Sequence, residues 1–159
     1  MNIFYIDRDP DLAAQYHYNS HVVKMIIESA QLLSTCHHIL DGFKENIYRP
    51  THTNHPCTLW ARTSRYNYEW LYCLYISLCK EYTFRFKKIH KSESLKNFLS
   101  IPPQNIPLFE FTMPYQAMPD EYRHTDSLVA YRNYYKIGKK HLSKYTKRDM
   151  PSWLISTND

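Results

Sequence analysis

Polar residues recur at helical spacing in the first forty positions, opposite a continuous apolar face. Positions 17, 21, 24, 28, 31 and 35 alternate steps of four and three residues. At about 100° per residue they fall within an arc of roughly 80° on an α-helix. Asp9 offers an N-cap acceptor and Pro10 suits the first turn. The pattern therefore predicts a helix over residues 10–40, ended by Asp41 and Gly42.

Two further segments show apolar residues at three- and four-residue intervals. They cover residues 58–88 and residues 126–145, and Asp126 provides an N-cap acceptor for the second. Ser92 is predicted to cap a short helix ending near Leu99. The stretch that follows, residues 101–120, holds five prolines and several large apolar side chains, which favours a packed loop over a helix.

Glycine is scarce, and this narrows the fold class. The chain of 159 residues contains 2 glycines, while aromatic residues make up 16%. A glycine-rich phosphate loop, a Rossmann crossover and a sheet with many tight turns all require more glycine. The sequence therefore predicts an all-α single domain of three long helices, with short helices and a proline-rich packed loop.

The net charge of +5 is concentrated in two segments that are also rich in aromatic residues. Residues 61–100 carry 8 Lys and Arg against 3 Asp and Glu, and residues 136–159 carry 6 against 2. Basic side chains among aromatic rings suit a polyanion whose bases can stack, although ordinary solvated helix faces would look the same. The nucleic-acid-binding candidates are His52, Asn54, Trp60, Arg62, Arg65, Tyr82, Arg85, Lys87, Lys88, His90, Lys91, Lys147, Arg148 and Trp153.

The polar stripe of the first helix supplies the catalytic candidates. It brings two imidazoles, an amine and a carboxylate onto one helix edge, a mixture that can move protons, unless it is only a solvated face. Partners for it are expected in the loop at residues 52–55, so we predict one polar cleft there. Zinc-binding motifs are absent, and we expect no metal and no cofactor. The catalytic candidates are His17, His21, Lys24, Glu28 and His55.

The four cysteines show neither CxxC pairs nor disulfide-like spacing. Charged residues follow the first six positions directly, and no apolar run approaches membrane-spanning length. These observations predict a reduced, cytoplasmic protein that does not enter a membrane.

The order of segments resembles the phage pyrimidine-dimer DNA glycosylases of the endonuclease V type. The resemblance rests on the opening Leu12–His17, the middle segment from His55-Pro56 to Glu81–Phe86, and the closing Arg148–Trp153. The sequences His21–Met25, Thr51–Pro56 and Ala117–Asp120 more closely resemble a family of small uncharacterised phage proteins.

The glycosylase resemblance implies a compact helical fold and a specific chemistry. Those enzymes attack the sugar C1′ with the N-terminal α-amine and rely on a glutamate in the first helix. Here Met1 precedes Asn2, a poor context for Met removal, and Glu28 lies a turn beyond the family's glutamate. The nucleophile is therefore expected to be either the Met1 amine or Lys24.

Together these features predict a DNA-acting N-glycosylase, with or without AP-lyase activity, in which DNA is the partner. Two alternatives remain open. One is a non-catalytic phage protein that binds nucleic acid or a host protein through its basic surface. The other is an enzyme that acts on free nucleotides.

Overall fold

Two long helices, covering residues 19–41 and 65–86, pack against each other. The computed structural model describes residues 1–155 and contains no β-strand within them, which confirms the all-α prediction. The seven α-helices are α1 Pro10–Tyr16, α2 Asn19–Asp41, α3 Pro56–Thr63, α4 Arg65–Phe86, α5 Lys96–Leu99, α6 Ser127–Asn133 and α7 Ser152–Ile155. Helix α4 packs on both α1 and α2, and α3 packs on both α2 and α4.

The predicted helix over residues 10–40 is two helices, because the chain leaves helical geometry at His17 and Tyr18. Distant groups satisfy the backbone at this break. The Tyr18 N–H donates to the Tyr135 hydroxyl at 3.0 Å, and the carbonyl of His17 accepts from Arg85 at 2.7 Å. The predicted start and end are confirmed. Asp9 caps the start of α1, and Gly42, with φ +85°, caps the end of α2.

The second predicted helix is also divided, at Ser64. The Ser64 hydroxyl accepts from the Tyr66 N–H and donates to the carbonyl of Phe109. The proline-rich loop thus stabilises the break between α3 and α4. Helix α4 ends at Phe86, followed by Lys87 in the left-handed region at φ +55°.

Two other predicted boundaries are wrong. The short helix is preceded by a 3-10 turn over Lys91–Leu95, and His90 rather than Ser92 caps that turn. The helix predicted over residues 126–145 is shorter than expected. Asp126 caps α6 as predicted, but a short π-helix follows it at Tyr134–Gly138. The molecule thus has two long helices where the sequence predicted three.

The proline-rich loop packs as predicted, because Pro103, Pro114 and Met118 are buried within it. No helix among residues 1–155 is both long enough and apolar enough to cross a bilayer. All four cysteines are unpaired thiols.

Candidate active site and basic surface

The first six residues form neither a helix nor a strand, and they run into the core. Ile3 to Ile6 are buried, and Phe4 adopts φ +54°. The Asn2 side chain fixes the start of this segment: its Oδ1 accepts from the Ile3 N–H at 2.7 Å, and its Nδ2 donates to the carbonyl of Ala117 at 2.9 Å. The first residue of the chain is therefore held in one place.

This anchoring sets the Met1 α-amine beside Glu28 on α2. The amine nitrogen lies 3.8 Å from Glu28 Oε1. The Met1 side chain is 3% exposed although the residue as a whole is half-buried. Main-chain atoms of Met1 therefore account for its exposure.

The second carboxylate oxygen of Glu28 has no donor. Oε2 is buried and finds no hydrogen-bond partner among the described residues. A buried acceptor left without a donor is unusual in a stable core, because its desolvation goes uncompensated.

His55 and Cys57 complete the surroundings of the amine at the start of α3. His55 Nδ1 accepts from the Cys57 N–H at 3.0 Å and so caps the helix. Desolvation, then the positive charge of the amine, lowers the pKa of His55. Burial raises the pKa of the Cys57 thiol to about 12, against the opposing pull of the amine. The thiol is thus protonated, and the imidazole next to the amine is neutral.

His17 and His21 lie elsewhere, in a buried aromatic cluster. His17 Nδ1 donates to the carbonyl of Ala13 at 2.6 Å, while His21 stacks on Phe4 at 4.4 Å between ring centroids. Desolvation lowers the pKa of His17 to about 4 and that of His21 to about 3. Both are neutral at pH 7 and cannot donate a proton to a leaving base there. The prediction that they share a cleft with the loop at residues 52–55 is wrong.

Lys24 lies on the exposed side of α2, one turn before Glu28. The exposed or half-buried residues Ser20, Val23, Lys24 and Ile27 form a surface stripe that leads to Glu28. From Ser20 to Glu28 the helix rises about 12 Å.

Several predicted nucleic-acid contacts are instead structural. Arg85 is 3% exposed and pairs with Glu81 at 2.9 Å, so no phosphate can reach it. Trp60 is buried and donates to the carbonyl of Thr112 at 2.9 Å. His90 is buried and caps the turn after α4. Their predicted roles are wrong because each side chain is committed to the fold.

Other predicted nucleic-acid contacts are half-buried or already have a partner within the fold. Arg62 is half-buried and donates to the carbonyl of Thr53 at 2.8 Å. Tyr82 is half-buried against Phe86, and Trp153 packs on Tyr16 and beneath Arg132. Arg65 pairs with Glu69 on the surface. The exposed candidates are His52, Asn54, Arg65, Lys87, Lys88, Lys91 and Lys147.

The two basic segments meet at the end of α4. Lys147 Nζ donates to the carbonyl of Phe84 at 3.2 Å, and Arg148 pairs with Glu81 at 2.8 Å. A groove of about 520 Å³ lies alongside, where Val23 and Phe86 face His141 and Lys144. We call this region the basic surface; its exposed cations include Lys87, Lys88, Lys140, Lys144 and Lys147.

Four residues of these sites are not among those predicted from the sequence: Asn2, Cys57, Lys140 and Lys144. A signal existed for the two lysines, since residues 136–148 contain no acidic residue. No sequence signal could place Asn2, because its role depends on a bond to Ala117, 115 positions away.

Comparison with known proteins adds no relative from which a function could be carried over. The chain matches no protein-family model, no curated protein and no solved structure.

Proposed function

We propose that the protein is a DNA N-glycosylase with AP-lyase activity, in which the Met1 α-amine is the nucleophile and Glu28 the assisting carboxylate. The observation that carries the proposal is the 3.8 Å approach of this amine to a glutamate whose other oxygen is buried without a donor. The anchoring of Asn2 supports it, because a nucleophile must be held in position.

The proposed reaction uses both groups in one sequence. As the C1′–N bond breaks, its electron pair leaves with the base, which takes a proton, and positive charge develops on the sugar. The Glu28 carboxylate stabilises that charge. The amine, as its free base, bonds to C1′ and passes one proton to the ring oxygen O4′ as the C1′–O4′ bond breaks, which yields an iminium ion that keeps one N–H. Loss of a C2′ proton then expels the 3′ phosphate and cleaves the strand.

Met1 suits the role of nucleophile better than Lys24. Met1 is the amine that lies against Glu28, whereas Lys24 is exposed on the helix surface.

The basic surface supports DNA as the substrate. Lysines from two distant segments converge at the end of α4, and phosphate neutralisation by such groups drives DNA binding. The exposed stripe on α2 runs from this surface to Glu28, so a strand that follows it reaches the amine.

Borohydride trapping tests the proposal directly. Duplexes with an abasic site, a pyrimidine dimer or a panel of damaged bases are incubated with the protein and borohydride, which reduces an iminium ion to a stable amine. We expect a covalent protein–DNA adduct with at least one duplex. Glu28→Gln should lower its rate of formation by about 100-fold or more, while Glu69→Gln, at a surface glutamate on α4, should leave the rate unchanged.

Absence of both base release and trapping across all duplexes would contradict the proposal. A non-catalytic protein that binds nucleic acid or a host protein would then account better for the basic surface.

A further inference from the structure

An apolar ridge with a cleft on each side lies next to the C-terminal end of α2. The ridge comprises residues 101–104, and its first residue, Ile101, is exposed. A cleft of about 340 Å³ is lined by the ridge, by Phe98 and by the residues that end and follow α2. A second cleft, of about 580 Å³, is lined by the ridge and by Leu108. Because Ile101 borders both clefts, ridge and clefts form one surface, which we call the ridge surface.

Hydrogen bonds on both sides fix the ridge to the long helices. The Asp41 carboxylate accepts from the backbone N–H groups of Gln104 at 2.7 Å and Asn105 at 3.0 Å. Before the ridge, the Tyr68 hydroxyl donates to the carbonyl of Leu99 at 2.7 Å, and Leu99 is buried. The backbone that presents Ile101 to solvent is therefore anchored, and the exposure of this side chain is a property of the fold.

The ridge surface carries large apolar side chains that the rest of the chain leaves uncovered. Phe98, Ile101 and Leu108 are each more than half exposed. Single exposed apolar residues are common, but a cluster of them on one surface marks a contact with another molecule. We therefore expect a partner to cover the ridge surface.

The charges on the ridge surface are balanced, which disfavours a polyanion as that partner. Asp41 and Glu45 are the acidic residues that line the two clefts, and Lys44 and Arg65 are the basic ones. These charges cancel, although the whole chain carries a net charge of +5. DNA binding depends on an excess of cations that neutralise phosphates, and this surface has no such excess. Two copies of the chain, by contrast, can meet here without like-charge repulsion at the contact.

The shape of the ridge surface makes it complementary to itself. A twofold axis brings the same surface of two copies together, so a projecting group on each copy needs a recess beside it. Ile101 projects, and the 340 Å³ cleft beside it is the recess. Clefts of roughly this size hold small organic molecules, so the recess is large enough for one isoleucine side chain.

The charges at the rim are also self-complementary. Lys44 and Glu45 are neighbours in the chain, and both are exposed. Neither forms an ion pair within residues 1–155. A twofold axis therefore allows Lys44 of each copy to meet Glu45 of the other.

We propose that the ridge surface is a homodimer interface, in which Ile101 of each copy enters the cleft beside α2 of the other copy. Lys44 pairs with Glu45 of the second copy at the rim. The basic surface adjoins the first turns of α2, about 34 Å away along the helix, so we expect it to stay uncovered in the dimer. The dimer goes beyond the proposed function and does not depend on it.

Sedimentation velocity of the full chain tests the proposal. We expect the average mass to rise from that of one chain toward that of two as the concentration increases from about 1 µM to about 1 mM. Ile101→Asp should weaken dimerisation by about tenfold or more, because it places a charge in an apolar contact. Ile89→Asp is the matched control: Ile89 is 77% exposed, against 73% for Ile101, but lies outside the ridge surface, so dimerisation should not change.

Reversal of the rim charges tests the twofold arrangement. Lys44→Glu and Glu45→Lys should each weaken dimerisation by about threefold or more, since each places like charges against one another across the axis. The double variant Lys44→Glu/Glu45→Lys restores opposite charges and should dimerise as the parent does. All of these variants should melt as the parent does, because the replaced side chains are exposed.

A chain that stays monomeric up to about 1 mM overturns the assignment. A dimer that Ile101→Asp does not weaken, or that the double charge reversal does not restore, overturns it as well. If a monomeric chain instead bound duplex DNA with amide shifts confined to residues 98–108, the ridge surface would be a nucleic-acid contact and the dimer would be refuted.

Discussion

At the residue scale, buried imidazoles make the fold sensitive to acid. His17 is fully buried and His21 is 4% exposed, and desolvation lowers the pKa of the former to about 4 and of the latter to about 3. Both rings are neutral in the folded protein at pH 7. Unfolding releases them to water, where a histidine has a pKa near 6.5 and takes up a proton.

We therefore predict that the free energy of unfolding falls as the pH drops below about 6.5 and continues to fall toward pH 4. Above that range the contribution of both rings is fully present. Each ring that is protonated only after unfolding contributes a slope of up to about 1.4 kcal/mol per pH unit. Urea unfolding between pH 7.5 and 5 measures the slope.

His21→Gln should reduce this slope, whereas His52→Asn, at an exposed loop position, should not. A slope unaffected by His21→Gln would show that other groups govern the acid sensitivity.

At the element scale, Arg85 ties α4 to the break between α1 and α2. Its guanidinium donates to the carbonyls of Gln15 and His17 at 2.8 and 2.7 Å, besides its pair with Glu81. These carbonyls belong to the turn where a continuous helix would have paired them internally. One side chain thus replaces the backbone bonds that the break removes.

Arg85→Ala is predicted to destabilise the fold by about 3–5 kcal/mol, because it leaves buried acceptors and part of a buried ion pair without partners. Arg65→Ala, which removes an exposed pair four residues apart on the same helix, should leave the free energy of unfolding almost unchanged. Denaturant titration of both variants checks this. An Arg85→Ala protein of parental stability that had lost DNA binding would instead support the surface role that the sequence suggested.

The sequence predicted the ends of helices correctly where an interaction between nearby residues determines them. Asp9 and Asp126 cap helices as expected, and Gly42 ends α2. The breaks at Tyr18 and Ser64 were not predictable, since Tyr135 and Phe109, over 40 residues away, stabilise them.

In the candidate site, too, some residues lie where the sequence predicted them and others do not. Glu28 and His55 were expected near one another, and both lie around the amine. His17 and His21 fit the same stripe, but the chain leaves the helix at His17 and Phe4 covers His21. The left-handed backbone of Phe4 that makes this packing possible has no sequence signature.

At the scale of the whole molecule, positively charged side chains lie near both ends of α2. The basic surface adjoins its first turns, whereas Lys44 lies just beyond its last residue. The helix has 23 residues and therefore spans about 34 Å. We therefore expect DNA held at the basic surface to lie away from Lys44.

We predict that DNA affinity falls steeply with salt and that Lys140→Gln combined with Lys144→Gln lowers the magnitude of the slope of log K against log salt by up to about 1.8. The matched pair Lys44→Gln and Arg49→Gln, with the same change of charge, should leave the slope unaltered. Fluorescence anisotropy with a labelled duplex at several salt concentrations measures both. Equal effects of the two pairs would indicate that net charge, rather than the basic surface, governs binding.

The central claim is that the α-amine of Met1 forms the covalent bond to the substrate. Peptide mass spectrometry of the borohydride-trapped adduct locates that bond, with intact mass confirming that the protein used begins at Met1. We expect a modified N-terminal peptide, retained in Lys24→Ala and lost when the amine is acetylated. An adduct on Lys24 or any other lysine, or one that persists after acetylation, would contradict it.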